Sequence, residues 1–205
     1  MLLVLDNWKS NWWKMKGYNF ITTLVKEKVF RNLHLRPFDL FIEEHFKNKC
    51  IVGAEIGVLC GCHAFSMLSH NRNIKTLYLI DPHENYPTYE NNYKEDGLDN
   101  CYKKAKRKLS EFSDRICFKT KKFQDAIDET PLLDFCYFDI DGNYSRTKTF
   151  IDMYWSKIKP NGIIGGWNYD AGHRGVSDAV REFIDENNLK LNGVGNDWWM
   201  MKENE

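Results

Sequence analysis

The chain has 205 residues, enough for one sizeable core, and no Pro/Gly/Ser-rich linker or internal repeat divides it. Lys+Arg 29 against Asp+Glu 29 gives a formal net charge of zero, which argues against a general nucleic-acid or anionic-membrane binder and for a small-molecule partner, with self-association left open. The opening Met1–Leu5 run meets Asp6 at once and no later run approaches a membrane span, so a soluble protein is expected, and six cysteines, several inside apolar runs, point to the reducing cytoplasm.

Residues 1–46 carry Trp8, Trp12, Trp13, Tyr18, Phe20, Phe30, Phe38, Phe41 and Phe46 ahead of the first strand. Phe38, Phe41, Ile42 and Phe46 recur at helical spacing and predict a helix packed on a sheet. The remainder reads as an aromatic extension, either plain packing or a lid over a pocket, with the main domain taken as 47–205.

Cys50–Ala54 suits a strand covered on both faces. It leads through Glu55 into Gly57 and Gly61, whose φ freedom and missing Cβ fit a sharp strand-to-helix turn that a ligand can approach. The spacing Glu55-x-Gly57-x-x-x-Gly61 is not the G-x-G-x-x-G of a pyrophosphate turn. Cys60, Cys62 and His63 lack the spacing of a zinc site. A second apolar run, Leu77–Ile80, ends in Asp81-Pro82. One helix separates the two runs, so both acids fall at the same edge of a parallel sheet, where Asp81 can accept both hydroxyls of a ribose.

Residues 82–97 read as a functional loop, and residues 99–112 as an amphipathic helix whose lysines form a solvated face. A third strand over Ile116–Thr120 runs into Gln124 and Asp125, the latter also a plausible helix N-cap. Strand four, Leu133–Phe138, ends in Asp139-Ile140-Asp141-Gly142-Asn143-Tyr144-Ser145. Ser145 is expected to cap a helix with an apolar stripe of Phe150, Ile151, Tyr154 and Trp155. Strand five, Ile163–Gly166, opens into Trp167-Asn168-Tyr169-Asp170. A helix with Val176, Val180, Phe183 and Ile184 inward follows, then two closing strands around Gly195-Asn196.

This series of strand-end acids resembles the class I S-adenosylmethionine-dependent methyltransferases, in particular the small-molecule and sugar O-methyltransferase branch, over residues 45–202. The resemblance implies an α/β, Rossmann-like, doubly wound, mostly parallel seven-stranded sheet with an antiparallel edge hairpin. It implies S-adenosylmethionine as cofactor, with Glu55 toward the ammonium, Gly57 and Gly61 against the methionine, Asp81 on the ribose, and Asp125 or Gln124 at the adenine. Asp141 would be the acceptor-side acid, with Asn168 and His173 as further catalytic candidates. Asn143, Tyr144, Trp167 and Tyr169 would contact the acceptor. The implied reaction is methylation of a hydroxyl. A non-catalytic binder of the same cofactor and an NAD-dependent enzyme stay open as alternatives. Tyr144 stands where many relatives have His, and Trp167 where metal-dependent relatives place an acid. A complete divalent site, built on Asp141, Asn168 and Asp170, is therefore not expected.

Overall fold

The computed structural model describes residues 35–84, 98–169 and 174–204. Its first element, α1 (Pro37–His45), begins with a proline at the position where a missing N–H costs nothing, and the Arg36 amide donates to Asp39 Oδ2 at 2.9 Å. The expected apolar stripe is there, with Phe38 and Ile42 fully buried. Phe38 packs on the rings of Phe135, Tyr137 and Trp199. Its loss to Ala should cost about 3 to 5 kcal/mol.

β1 (Ile51–Ile56) and β2 (Ile74–Ile80) flank α2 (Cys62–His70) in the chain. After α3 (Leu98–Lys108) and a 3-10 turn at Ser110–Phe112 come β3 (Ile116–Lys119), the single-turn α4 (Phe123–Ala126) and β4 (Leu133–Phe138). α5 (Tyr144–Trp155), β5 (Ile158–Gly166), α6 (Arg174–Asn187), β6 (Asn192–Val194) and β7 (Asp197–Met201) complete the order. The strands form one seven-stranded sheet, β3-β2-β1-β4-β5-β7-β6. The first five pair parallel, and β7 runs antiparallel to both β5 and β6. This is the α/β, Rossmann-like arrangement with an antiparallel edge.

Alternation along the strands divides the core into two layers. Ala54, Ile56, Cys136, Phe138, Trp198 and Met200 meet α4, α5 and α6 on one face. Ile51, Phe135, Tyr137 and Trp199 meet α1 and α2 on the other. Glu55 pairs in register beside Tyr137, so both side chains belong to the α1/α2 face.

Several local expectations are corrected. β1 runs to Ile56 and takes Glu55 into the strand, because Ala54 and Ile56 are both buried on the opposite face. β5 starts at Ile158, and the register jumps from Leu133↔Ile158 to Phe135↔Ile163, so residues 159–162 form a bulge around the left-handed Asn161. The α5 cap is Asn143, whose side chain accepts from the Arg146 amide, and not Ser145. α4 is capped at Lys122, with Asp125 inside the helix.

Candidate active site

The chain crosses from β3 to β4 past β1, so the carboxyl ends of β1 and β4 lie side by side at the point where strand order reverses. Open α/β sheets form their ligand crevice there. Gly57 follows β1 with φ +91°, and a Cβ on it would lie 2.1 Å from the Asp139 carbonyl oxygen. Only glycine lets the turn pass so close to the end of β4. Gly61, φ +72°, starts α2 against Ala105 and Leu109. The turn between them is held from β2. The amides of Val58 and Leu59 donate to Asp81 Oδ2 at 2.9 and 2.8 Å, and the His83 amide donates to Oδ1 at 2.7 Å. A cavity of about 340 Å³ opens here, walled by this turn and by Glu55, Asp81, Asp139 and Phe123, with Arg36 and His63 at its α1 side.

Beneath the cavity runs a buried chain of charges. His63, 5% exposed, stands between Asp39 and Glu55, which are 0% and 1% exposed. Its Nδ1 lies 3.0 Å from Glu55 Oε1, and its Nε2 lies 3.0 and 3.2 Å from the two Asp39 oxygens. A neutral imidazole has one N–H, so with both carboxyl groups ionised the ring between them is the imidazolium. Burial pulls the His63 pKa down, but the charges of Asp39 and Glu55 outweigh it and push it up to about 10. Burial raises the Glu55 pKa, opposed by His63. Glu55 Oε2 is buried and has no hydrogen-bond partner among the described residues.

A second group adjoins it. Arg36 Nη2 donates to Asp139 Oδ2 and Nη1 to the Tyr137 hydroxyl, both at 2.8 Å, and the guanidinium lies 4.6 Å from the Trp167 ring centroid. Tyr137 donates to Asp197, which also accepts from the Phe38 amide at 3.2 Å. Cys60, also on the cavity wall, is no thiolate nucleophile at neutral pH, since burial and the neighbouring Cys101 thiol push it up to about 12.

Of the residues expected in the site, Glu55, Gly57 and Asp81 meet at the cavity, with Gly61 at the foot of its turn. Gln124 and Asp125 are exposed on α4, directly after the cavity-lining Phe123. Asp141 does not line the cavity. One of its oxygens pairs with Arg146 and the other accepts from the Asn143 amide at 3.3 Å. Asn143 is committed to its cap. Tyr144 is 38% exposed and its hydroxyl bonds Glu182 of α6. Trp167 faces Arg36, Asn168 turns the chain with φ +68°, and the Tyr169 hydroxyl accepts from Arg181 Nε at 3.1 Å. His173, Asp170 and the tryptophans of the expected lid lie outside the described residues. No group of three or more His, Cys, Asp or Glu among the described residues is arranged to hold a metal ion. No described helix is long and apolar enough to cross a membrane.

Four residues of this arrangement escaped the sequence reading as a group: Arg36, Asp39, His63 and Asp139. Asp139 had a visible signal, since it is the residue directly after β4 and Asp141 is two further on. Arg36 and Asp39 flank Pro37-Phe38 at a helix start, and nothing local tells that they reach the sheet edge.

The sequence profile of a family described as a methyltransferase domain matches residues 54–167, more than half of the chain. Among solved structures, the O-methyltransferase NovP is similar with a TM-score of 0.64 at 16% identity, covering 82% of this chain and 80% of that one. The O-methyltransferase from Bacillus cereus in complex with S-adenosylhomocysteine gives 0.61 at 13% identity over 100% of both chains. CalS11, a TDP-rhamnose 3′-O-methyltransferase, gives 0.54 at 16% identity over 86% of each. No curated protein sequence matches the chain. At these identities the structural likeness is one of fold.

Proposed function

The chain belongs to the methyltransferase-domain family, and on that premise we propose that it transfers the methyl group of S-adenosylmethionine to a hydroxyl of a small acceptor. The observation that carries this reading is the Gly57 turn packed against the end of β4, with Glu55, Asp81 and Asp139 on one cavity wall. These residues fit the cofactor. It carries an ammonium, a sulfonium cation and a ribose diol and no phosphate, so a wall of acids welcomes it where it would repel a dinucleotide. In this reading Asp81 takes the ribose diol and Glu55 Oε2 the ammonium. Gln124 and Asp125 stand beyond Phe123 for the adenine amine. When bound, the cofactor supplies an electrophilic methyl on sulfur that leaves behind a neutral thioether.

The chain's own residues then have three tasks: to orient the acceptor, to exclude water and to take its proton. Of the two acids that follow β4, Asp139 is the one that lines the cavity, and Arg36 fixes its carboxylate by a 2.8 Å ion pair. We assign to it the proton-accepting part that the sequence suggested for Asp141. The Trp167 and Tyr137 rings lie 4.6 and 5.2 Å from the Arg36 guanidinium and help to hold it. Asn168 and Tyr169 remain our candidates for orienting the acceptor, and His173 remains a candidate base. The named activities of NovP, the Bacillus cereus enzyme and CalS11 support an oxygen acceptor, the last of these on a nucleotide sugar. All six cysteines are free thiols, which supports the cytoplasm as its place.

Calorimetry with S-adenosylhomocysteine and NAD tests the cofactor, and release of S-adenosylhomocysteine in the presence of sugar and phenol panels tests the reaction. We expect binding of the first ligand only. Asp81→Asn keeps an acceptor for the turn amides but loses a charged bond to the ribose, which should weaken binding at least about tenfold. Preference for NAD, or unchanged affinity in the variant, would sink the assignment.

A further inference from the structure

The buried chain Asp39–His63–Glu55 has more charge than folding alone asks of it. An ion that merely joined α1 to the sheet could be replaced by apolar packing at no loss, and burying three charged groups is costly unless each is fully paired. Two of the three are. Asp39 Oδ1 faces His63, and Asp39 Oδ2 takes the Arg36 amide at 2.9 Å and shares His63 Nε2 at 3.2 Å. His63 has a carboxylate on each ring nitrogen. Glu55 is paired on Oε1 only, and Oε2 is the buried oxygen left without a partner.

With the imidazolium between two carboxylates, the chain carries one surplus negative charge. The Arg36 charge also reaches Glu55, but it is matched by that of its ion-pair partner Asp139, so the surplus remains. The end of this chain that belongs to the cavity wall is Glu55, and its Oε2 is the atom with no partner to share that charge. A buried acceptor in that state is completed by a ligand cation with N–H donors.

We propose that His63, backed by Asp39, is a positioning residue that holds Glu55 so that Oε2 faces the cavity and receives the ammonium of the cofactor's amino-acid head. The inference rests on reading the cavity as an S-adenosylmethionine site. His63 touches no reacting atom. Its Nδ1–H fixes one oxygen of Glu55 and turns the other outward, and Asp39 fixes the ring by holding Nε2. The amino-acid head thereby becomes coupled to α1, since Asp39 sits in the first turn of that helix and also accepts from the Arg36 amide.

The test compares two ligands on the full chain. S-adenosylhomocysteine has the ammonium. 5′-Methylthioadenosine has the same nucleoside and thioether sulfur but no amino-acid head. Their affinities are measured for the wild type, Glu55→Gln, His63→Gln and the double variant. Each single variant should bind S-adenosylhomocysteine at least about tenfold more weakly, the scale of one charge-assisted bond, and 5′-methylthioadenosine within about twofold of the wild type. The double variant should be no weaker than Glu55→Gln alone, because His63 acts through Glu55. Asp39→Asn, which keeps an acceptor for Nε2, should show a smaller loss confined to S-adenosylhomocysteine, and it decides the matter if His63→Gln does not fold. Equal losses for both ligands, additive losses, or unchanged affinity for S-adenosylhomocysteine would overturn the positioning role while leaving the cofactor assignment intact. A wild type that binds neither ligand would overturn the cofactor assignment and the positioning role with it.

Discussion

At the ends of β1 and β2 the acids are tied into the fold itself: Asp81 takes three backbone amides, and Glu55 is buried against His63. At the end of β4 the two acids, Asp139 and Asp141, are each held by an arginine side chain, Arg36 from before α1 and Arg146 from within α5. On the proposed reading, the cofactor side of the site is shaped by backbone bonds and the buried His63 pair, and the acceptor side by arginine ion pairs. Substitutions in the first half should damage folding and binding together. Those in the second should change turnover while cofactor affinity stays nearly constant.

The largest effect is expected from Gly57→Ala. A Cβ placed 2.1 Å from the Asp139 carbonyl oxygen, at φ +91°, must push the turn away from β4. A loss of about 3 kcal/mol of stability is expected, together with a fall of more than about a hundredfold in affinity for S-adenosylhomocysteine. Urea unfolding and calorimetry measure the two. Affinity within tenfold of the wild type would mean that backbone does not define this half.

Next in size is the contrast between the two β4 acids. Asp139→Asn should lower turnover by about a hundredfold, the lower end of what a positioned base supplies, and leave cofactor affinity within about threefold. Asp141→Asn, away from the cavity and bonded to Arg146, should lower turnover by less than about tenfold. The opposite ranking, measured at saturating cofactor, would return the proton-accepting role to Asp141.

The same division explains what the sequence could and could not tell. Strands and helices were legible because Leu133–Phe138, Ile163–Gly166 and the stripe Phe150, Ile151, Tyr154 carry their periods openly, and the antiparallel edge through the Gly195-Asn196 turn together with the family resemblance. Gly57 and Asp81 were legible because a turn glycine and a strand-end acid have fixed places in such a sheet. Asp139 was not chosen over Asp141 because two acids separated by one residue give no sign of which one turns inward; that depends on Arg36, a hundred residues earlier in the chain. His63 looked like a failed metal ligand because spacing was tested against cysteines in the same turn, whereas its partners come from α1 and β1.

The smallest effect is a slope of stability with pH, and it belongs to neither half but to the joint where α1 meets β7. Asp197 is 1% exposed. Burial drives its pKa from 3.8 up to about 6, against the opposing bonds from Tyr137 and the Phe38 amide. The folded chain therefore keeps this proton to a higher pH than the unfolded one does. The stabilisation is complete below about pH 3.8 and is lost as pH rises through about 6. Between pH 4.5 and 6.5 this should remove about 2 kcal/mol. Asp197→Asn keeps one carbonyl oxygen, enough for the Phe38 amide, turns its NH2 toward the Tyr137 hydroxyl and has no proton to lose, so whatever its absolute stability, that stability should fall less over the interval by the same amount. Glu55, whose pKa is also raised, and His63 contribute to the slope of both proteins and cancel in the difference. Urea unfolding at the two pH values measures it, and equal losses in wild type and variant would show that Asp197 is ionised in the folded chain throughout.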